Sequence, residues 1–228
     1  MDITLHYIEE GTGTPLLLLH GNGEDGTYFK HQLAYFSKKY RVIAVDTRGH
    51  GQSPRGAAPF TISQFAEDLN AFLEQRDISK AVILGFSDGA NIAMRFAMKH
   101  PEKVEALILN GGNLNARGVK ASVQIPIELG YRMTKLFSRI SEKARKNHEM
   151  LALMVDDPNI EPSELKEIHV PTLVIAGTED MIKEEHTKLL AAEIPGAELK
   201  FVKGGHFVAA KASEEFNVAV DLFLERVL

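Results

Sequence analysis

The sequence predicts an α/β protein, a mostly parallel open sheet flanked by helices, and three observations carry that prediction. Short apolar runs alternate with longer amphipathic stretches along most of the chain. The runs are apolar almost throughout, which suits strands buried on both faces. Repeated strand–helix–strand units of this kind cover a sheet with helices.

In chain order, "DITLHYIEE" (2–10) is expected as a single amino-terminal strand. It is followed by "PLLLLH" (15–20), "RVIAVD" (41–46), "KAVILGF" (80–86), "VEALILN" (104–110), "PTLVIAG" (171–177) and "AELKFVK" (197–203). Helical patterns fill 27–38, 61–76, 88–100, 184–194 and 212–227. In "FTISQFAEDLNAFLEQ", Phe65, Leu69, Phe72 and Leu73 share one face, and Thr61 or Ser63 supplies a cap. The alternation breaks once, so the expected organisation is a core of 1–112 and 169–228 with a helical cap insertion at 113–168. That insertion carries apolar Met133, Leu136, Phe137, Ile140, Met150, Leu151 and Met154. Between residues 115 and 150 it has eight Lys/Arg against three Glu, read as a solvated helix face.

Composition narrows the function. Hydrophobic residues make up 44% of 228, enough for a sizeable core. A net charge of −5 gives no general attraction to nucleic acid or acidic membranes. There is no cysteine, hence no disulfide, thiolate metal site or cysteine nucleophile. The start lacks a signal-peptide pattern, and no apolar run approaches the ~18 residues needed to cross a bilayer. A cytoplasmic protein is expected, without nucleic-acid or membrane partners. No H-E-x-x-H or Cys/His cluster suggests a metal, and no cofactor is expected.

Two stretches compete for the chemistry. In "LLLLHGNGEDG" (16–26), Gly21, Gly23 and Gly26 fit the G-x-G-x-x-G of a dinucleotide turn, and Asp46 lies 20 residues beyond. Yet Glu24 and Asp25 sit inside that turn, where each would repel a pyrophosphate. The second stretch is "AVILGFSDGANIAMRFAMKH", in which a buried strand runs into Gly85-Phe86-Ser87-Asp88-Gly89 and a helix starts at once. A serine in so sharp a turn is exposed at the carboxyl edge of the sheet, with the Asp88 amide directed at a reacting carbonyl oxygen.

A serine hydroxyl needs a base oriented by an acid. Strand "PTLVIAG" ends in Thr178-Glu179-Asp180, and strand "AELKFVK" ends in Gly204-Gly205-His206. Both fall on the edge where Ser87 stands, so the expected catalytic group is Ser87, Asp180 and His206, with Glu179 as the rival acid.

With "HGNG" (20–23), "DTRGHGQS" (46–53), "GFSDG" (85–89), "GTED" (177–180) and "GGHF" (204–207), nearly the whole chain resembles the α/β-hydrolase superfamily. "GFSDGANIAMRFAMKHP" and the tail from "GTED" onward are similar to small serine esterases of the valacyclovir-hydrolase kind. The resemblance implies an α/β-hydrolase fold, an oxyanion loop in which the Asn22 amide joins that of Asp88, and a carboxylic ester as substrate. Asp88 is also expected to attract an ammonium group on that substrate, such as the amine of an amino-acid ester. Met133, Phe137, Met150 and Met154 are candidates to line an apolar pocket. The partners are then a small-molecule ester and water. Carbon–carbon bond hydrolysis, thioester or peptide cleavage, and a non-catalytic ligand-binding protein are the alternatives.

Overall fold

The computed structural model describes residues 2–228. Seven strands form one sheet: β1 (Tyr7–Glu10), β2 (Pro15–Leu19), β3 (Arg41–Val45), β4 (Ala81–Phe86), β5 (Val104–Asn110), β6 (Thr172–Gly177) and β7 (Glu198–Val202). Their spatial order is β1-β3-β2-β4-β5-β6-β7, and every pairing is parallel except β1 with β3.

The continuous apolar runs have a simple cause. Leu17 and Leu19 of β2, Ile43 and Val45 of β3 and Ile83 of β4 enter one core layer. Their neighbours Leu16, Leu18, Val42, Ala44, Val82 and Leu84 enter the other. The sheet is thus covered on both faces, and each fully buried leucine is worth roughly 1.5–3 kcal/mol relative to exposure. The edge strands differ. β7 exposes Glu198, Leu199 and Lys200, and β1 is half exposed, so burial on both faces holds only for the interior of the sheet.

Helices α1 (Lys30–Phe36), α2 (Ile62–Gln75) and α3 (Asp88–Lys99) follow the first crossovers. The pattern expected to be helical over 27–38 divides in two. Asp25 caps a 3-10 turn at Gly26–Phe29 by accepting from the Thr27 amide at 2.8 Å, and α1 begins only afterwards. Thr61, not Ser63, caps α2, accepting from the Gln64 amide at 3.1 Å.

Between β5 and β6 the chain forms helices α4 (Ala121–Phe137) and α5 (Glu142–Val155), flanked by short 3-10 turns. These helices pack on each other, with Tyr131 stacked on His148 at 4.6 Å. Leu153, Ile160, Leu165 and Ile168 continue into the main core, so the segment is anchored at its carboxyl end. The chain closes with α6 (Glu184–Glu193), α7 (Val208–Lys211) and α8 (Ser213–Val227). Among the described residues no helix is long and apolar enough to cross a membrane.

Candidate active site

Parallel strands send their carboxyl ends to one edge, and four of them deliver the candidate residues there. β4 ends in Ser87, whose φ of +53° lies in the left-handed region that bulky residues avoid. The turn closes because Gly85 and Gly89 have no Cβ: one at Gly85 would strike the Gly89 carbonyl, and one at Gly89 the Leu19 carbonyl. The Ser87 amide donates to Asn110 O at 2.8 Å, pinning the turn to the end of β5.

The sequence places the other two residues at the ends of β6 and β7, and the fold brings both to the serine. His206 Nε2 stands 3.0 Å from Ser87 Oγ, and His206 Nδ1 stands 2.7 Å from Asp180 Oδ1. Asp180 is itself held by the Ile182 amide at 2.9 Å. Its rival Glu179 is exposed and takes no part in the line. Hydroxyl, imidazole and carboxylate in this order allow a base to accept the hydroxyl proton while an acid fixes its tautomer.

Aromatic packing holds the imidazole, a feature the motifs alone do not show. Phe86 lies 4.8 Å from the His206 ring and is itself stacked on Tyr28 at 4.5 Å. Gly111, at φ +62°, packs where a Cβ would come within 2.8 Å of the imidazole.

The glycine turn after β2 approaches the serine from the other side. A Cβ on Gly21 would lie 3.1 Å from Ser87 Cβ. Among the described residues neither the Asn22 nor the Asp88 amide has a hydrogen-bond acceptor. Two other turn amides are occupied by carboxylates, Gly26 N by Asp46 at 2.7 Å and Gly21 N by Glu24 at 3.3 Å. A pyrophosphate would find acids where it needs donors, so the dinucleotide reading fails on local chemistry. His20 braces the same loop. Its Nδ1 donates to Gly21 O at 2.8 Å, its Nε2 accepts from Thr47 N at 3.0 Å, and burial lowers its pKa, keeping it neutral.

Asp88 is 7% exposed. Burial raises its carboxyl pKa to about 7, opposed by the neighbouring Asn22 and Asn91 side chains. Oδ1 receives a long 3.4 Å bond from Asn91, while Oδ2 is buried without a partner.

The pocket residues expected from the insertion need correction. Met133 and Phe137 wall a hollow of about 430 Å³ at the far end of α4, with Ile140 and Ala144, and none of the residues around Ser87 contributes to it. Met154 is half-buried, and its carbonyl faces Gln124. The reason is helical phase. α4 turns Gly130, Tyr131 and Thr134 toward α5, which leaves Met133 on the flank. Met150 alone reaches the loop, its carbonyl accepting from Asn22 Nδ2 at 2.7 Å. It also walls a cavity of about 460 Å³ shared by Gly49, Gly51, Arg55, Phe60, Arg145 and Lys146. Among the described residues no group of three or more His, Asp or Glu could hold a metal ion.

A parallel sheet ending in this serine turn defines an α/β hydrolase architecture, and the family model for the alpha/beta hydrolase fold matches residues 14–128. The chain belongs to that family. Along 99% of its length it is 25% identical to 3-oxoadipate enol-lactonase 2 of Acinetobacter baylyi, covering 94% of that enzyme. An uncharacterized Mycobacterium tuberculosis protein is 35% identical over 119 residues, 52% of this chain; the chain spans only 34% of that relative's length. The enol-lactonase from Burkholderia xenovorans superposes with a TM-score of 0.82 at 23% identity, covering 98% of this chain and 97% of the other. At that identity the likeness establishes the fold.

Proposed function

We propose that the chain is a serine hydrolase that cleaves a small carboxylic ester through an acyl-enzyme intermediate. The observation that carries this reading is the unbroken line from Ser87 Oγ through His206 to Asp180, at 3.0 and 2.7 Å. Ser87 Oγ attacks the ester carbonyl as His206 Nε2 takes its proton. The imidazolium, stabilised by Asp180, passes that proton to the departing alkoxide. His206 then deprotonates water, which releases the acid and restores the serine. The free Asn22 and Asp88 amides are suited to receive the oxyanion; one such donor is typically worth ~10²–10³ in turnover.

The names of the relatives keep the leaving group open. One is an enol-lactonase, and a Burkholderia vietnamiensis relative at 29% identity is a 2-hydroxy-6-oxononadienedioate hydrolase. Lactone opening and carbon–carbon bond hydrolysis therefore stand beside ester cleavage.

One feature bears on the substrate's charge. The unpartnered Oδ2 of Asp88 favours an ammonium-bearing ester such as an amino-acid ester. One panel of cationic, neutral and anionic aryl esters tests all of this. His206→Ala should lower kcat by ~10⁴–10⁶ on any accepted ester. Asp88→Asn should raise KM for cationic esters alone. Equal effects across charges would remove the amine reading, and turnover unchanged in His206→Ala would remove the mechanism.

A further inference from the structure

We infer that the outer face of the α4–α5 hairpin docks on an anionic lipid surface. Ile125, Leu129, Met133 and Leu136 follow one another along a single flank of α4, at 56%, 58%, 56% and 72% exposure. Ile140, just past the helix end, is 81% exposed. Elsewhere Leu199, Val218 and Leu222 line a hollow between β7 and α8, and outside the hairpin segment no large hydrophobic exceeds 53%. A chain that buries its sheet on both faces thus leaves its most exposed apolar stripe on this hairpin.

The charges beside the stripe identify its partner. Arg132 and Lys135 border one side in helical phase, with Glu128 one turn earlier; Arg139 follows the helix end, and Lys143 stands at the hollow on the other side. None of the four cations forms an ion pair among the described residues. Residues 115–150 hold eight Lys/Arg against three Glu, and the rest of the chain 18 against 28. The acidic balance of the whole chain, which predicts no affinity for acidic membranes, averages over this separation.

A second copy packed symmetrically on the stripe would set the same cations against each other. An anionic bilayer satisfies both features: apolar side chains enter the boundary between headgroups and acyl chains, and the cations meet phosphate and carboxylate groups. The hairpin would lie on the surface rather than span it. α4 has 17 residues, contains Pro126 and carries Glu128, Arg132 and Lys135 within it.

The test is flotation of the full chain with phosphatidylcholine vesicles, with and without phosphatidylserine. Binding should be at least about tenfold stronger to the phosphatidylserine vesicles and should weaken with added salt. The exposed pair Leu136→Ser/Ile140→Ser should abolish it at unchanged Tm. Arg132→Ser/Lys135→Ser/Arg139→Ser should remove the preference for phosphatidylserine. No binding, or binding indifferent to both variants, overturns the inference. So does a concentration-dependent dimer in sedimentation velocity that Leu136→Ser/Ile140→Ser dissolves without any vesicle binding. Turnover of soluble esters does not use this face, so such a failure leaves the reading of Ser87 untouched.

Discussion

Asp88 is the residue whose burial makes stability depend most directly on pH. Its carboxyl titrates at about 7 in the fold, against an ordinary value of 3.8. Between those values the folded chain holds a proton that the unfolded chain has released, so stability falls as pH rises through the window. Above about 7 the loss is complete. Asp88→Asn should therefore stabilise the chain by ~2–4 kcal/mol near pH 8 and by little near pH 4. Thermal melts of both proteins across that range read the difference directly; a gain independent of pH would contradict it. At this scale the sequence was informative wherever a residue follows a strand. Ser87, Asp180 and His206 are legible because parallel strands fix which edge their ends occupy. Met133 and Phe137 are not, because an apolar helical residue looks the same whether its flank meets the site or solvent.

The elements around the site are tied by buried charge as well as by packing. Arg48, with no exposed surface, forks onto Asp68 of α2 at 2.7 Å through both Nε and Nη2. Its remaining donors reach Asp2 and the Arg55 carbonyl, so one guanidinium joins the loop after β3, α2 and the chain start. Asp68→Ala leaves that buried guanidinium with Asp2 as its one carboxylate partner and should cost up to about 3–5 kcal/mol by denaturant unfolding. A loss below about 1 kcal/mol would show that Asp2 and solvent together replace Asp68 as partners of Arg48. Arg55 makes a second fork, to Glu149 of α5 at 3.0 and 2.7 Å, linking the same loop to the hairpin. The interior strands were readable from apolar runs. The antiparallel direction of β1, the 3-10 start before α1 and short α7 were not. Direction and capping depend on partners such as β3 and Asp25 that lie outside the local pattern.

Across the whole molecule, the candidate catalytic line and the cationic apolar stripe belong to separate parts of one architecture. The sheet and its two core layers hold four strand ends in register, which is what brings residues 87, 180 and 206 within bonding distance. The α4–α5 hairpin adds positive charge and an open apolar stripe to a chain that is otherwise acidic. The central claim concerns the first part, that Ser87 is an activated nucleophile. The most direct measurement is the intact mass of the protein after incubation with a fluorophosphonate, beside Ser87→Ala. The account predicts one adduct on the native chain and none on the variant. No adduct on a folded native chain, or an equal adduct on both, would contradict it.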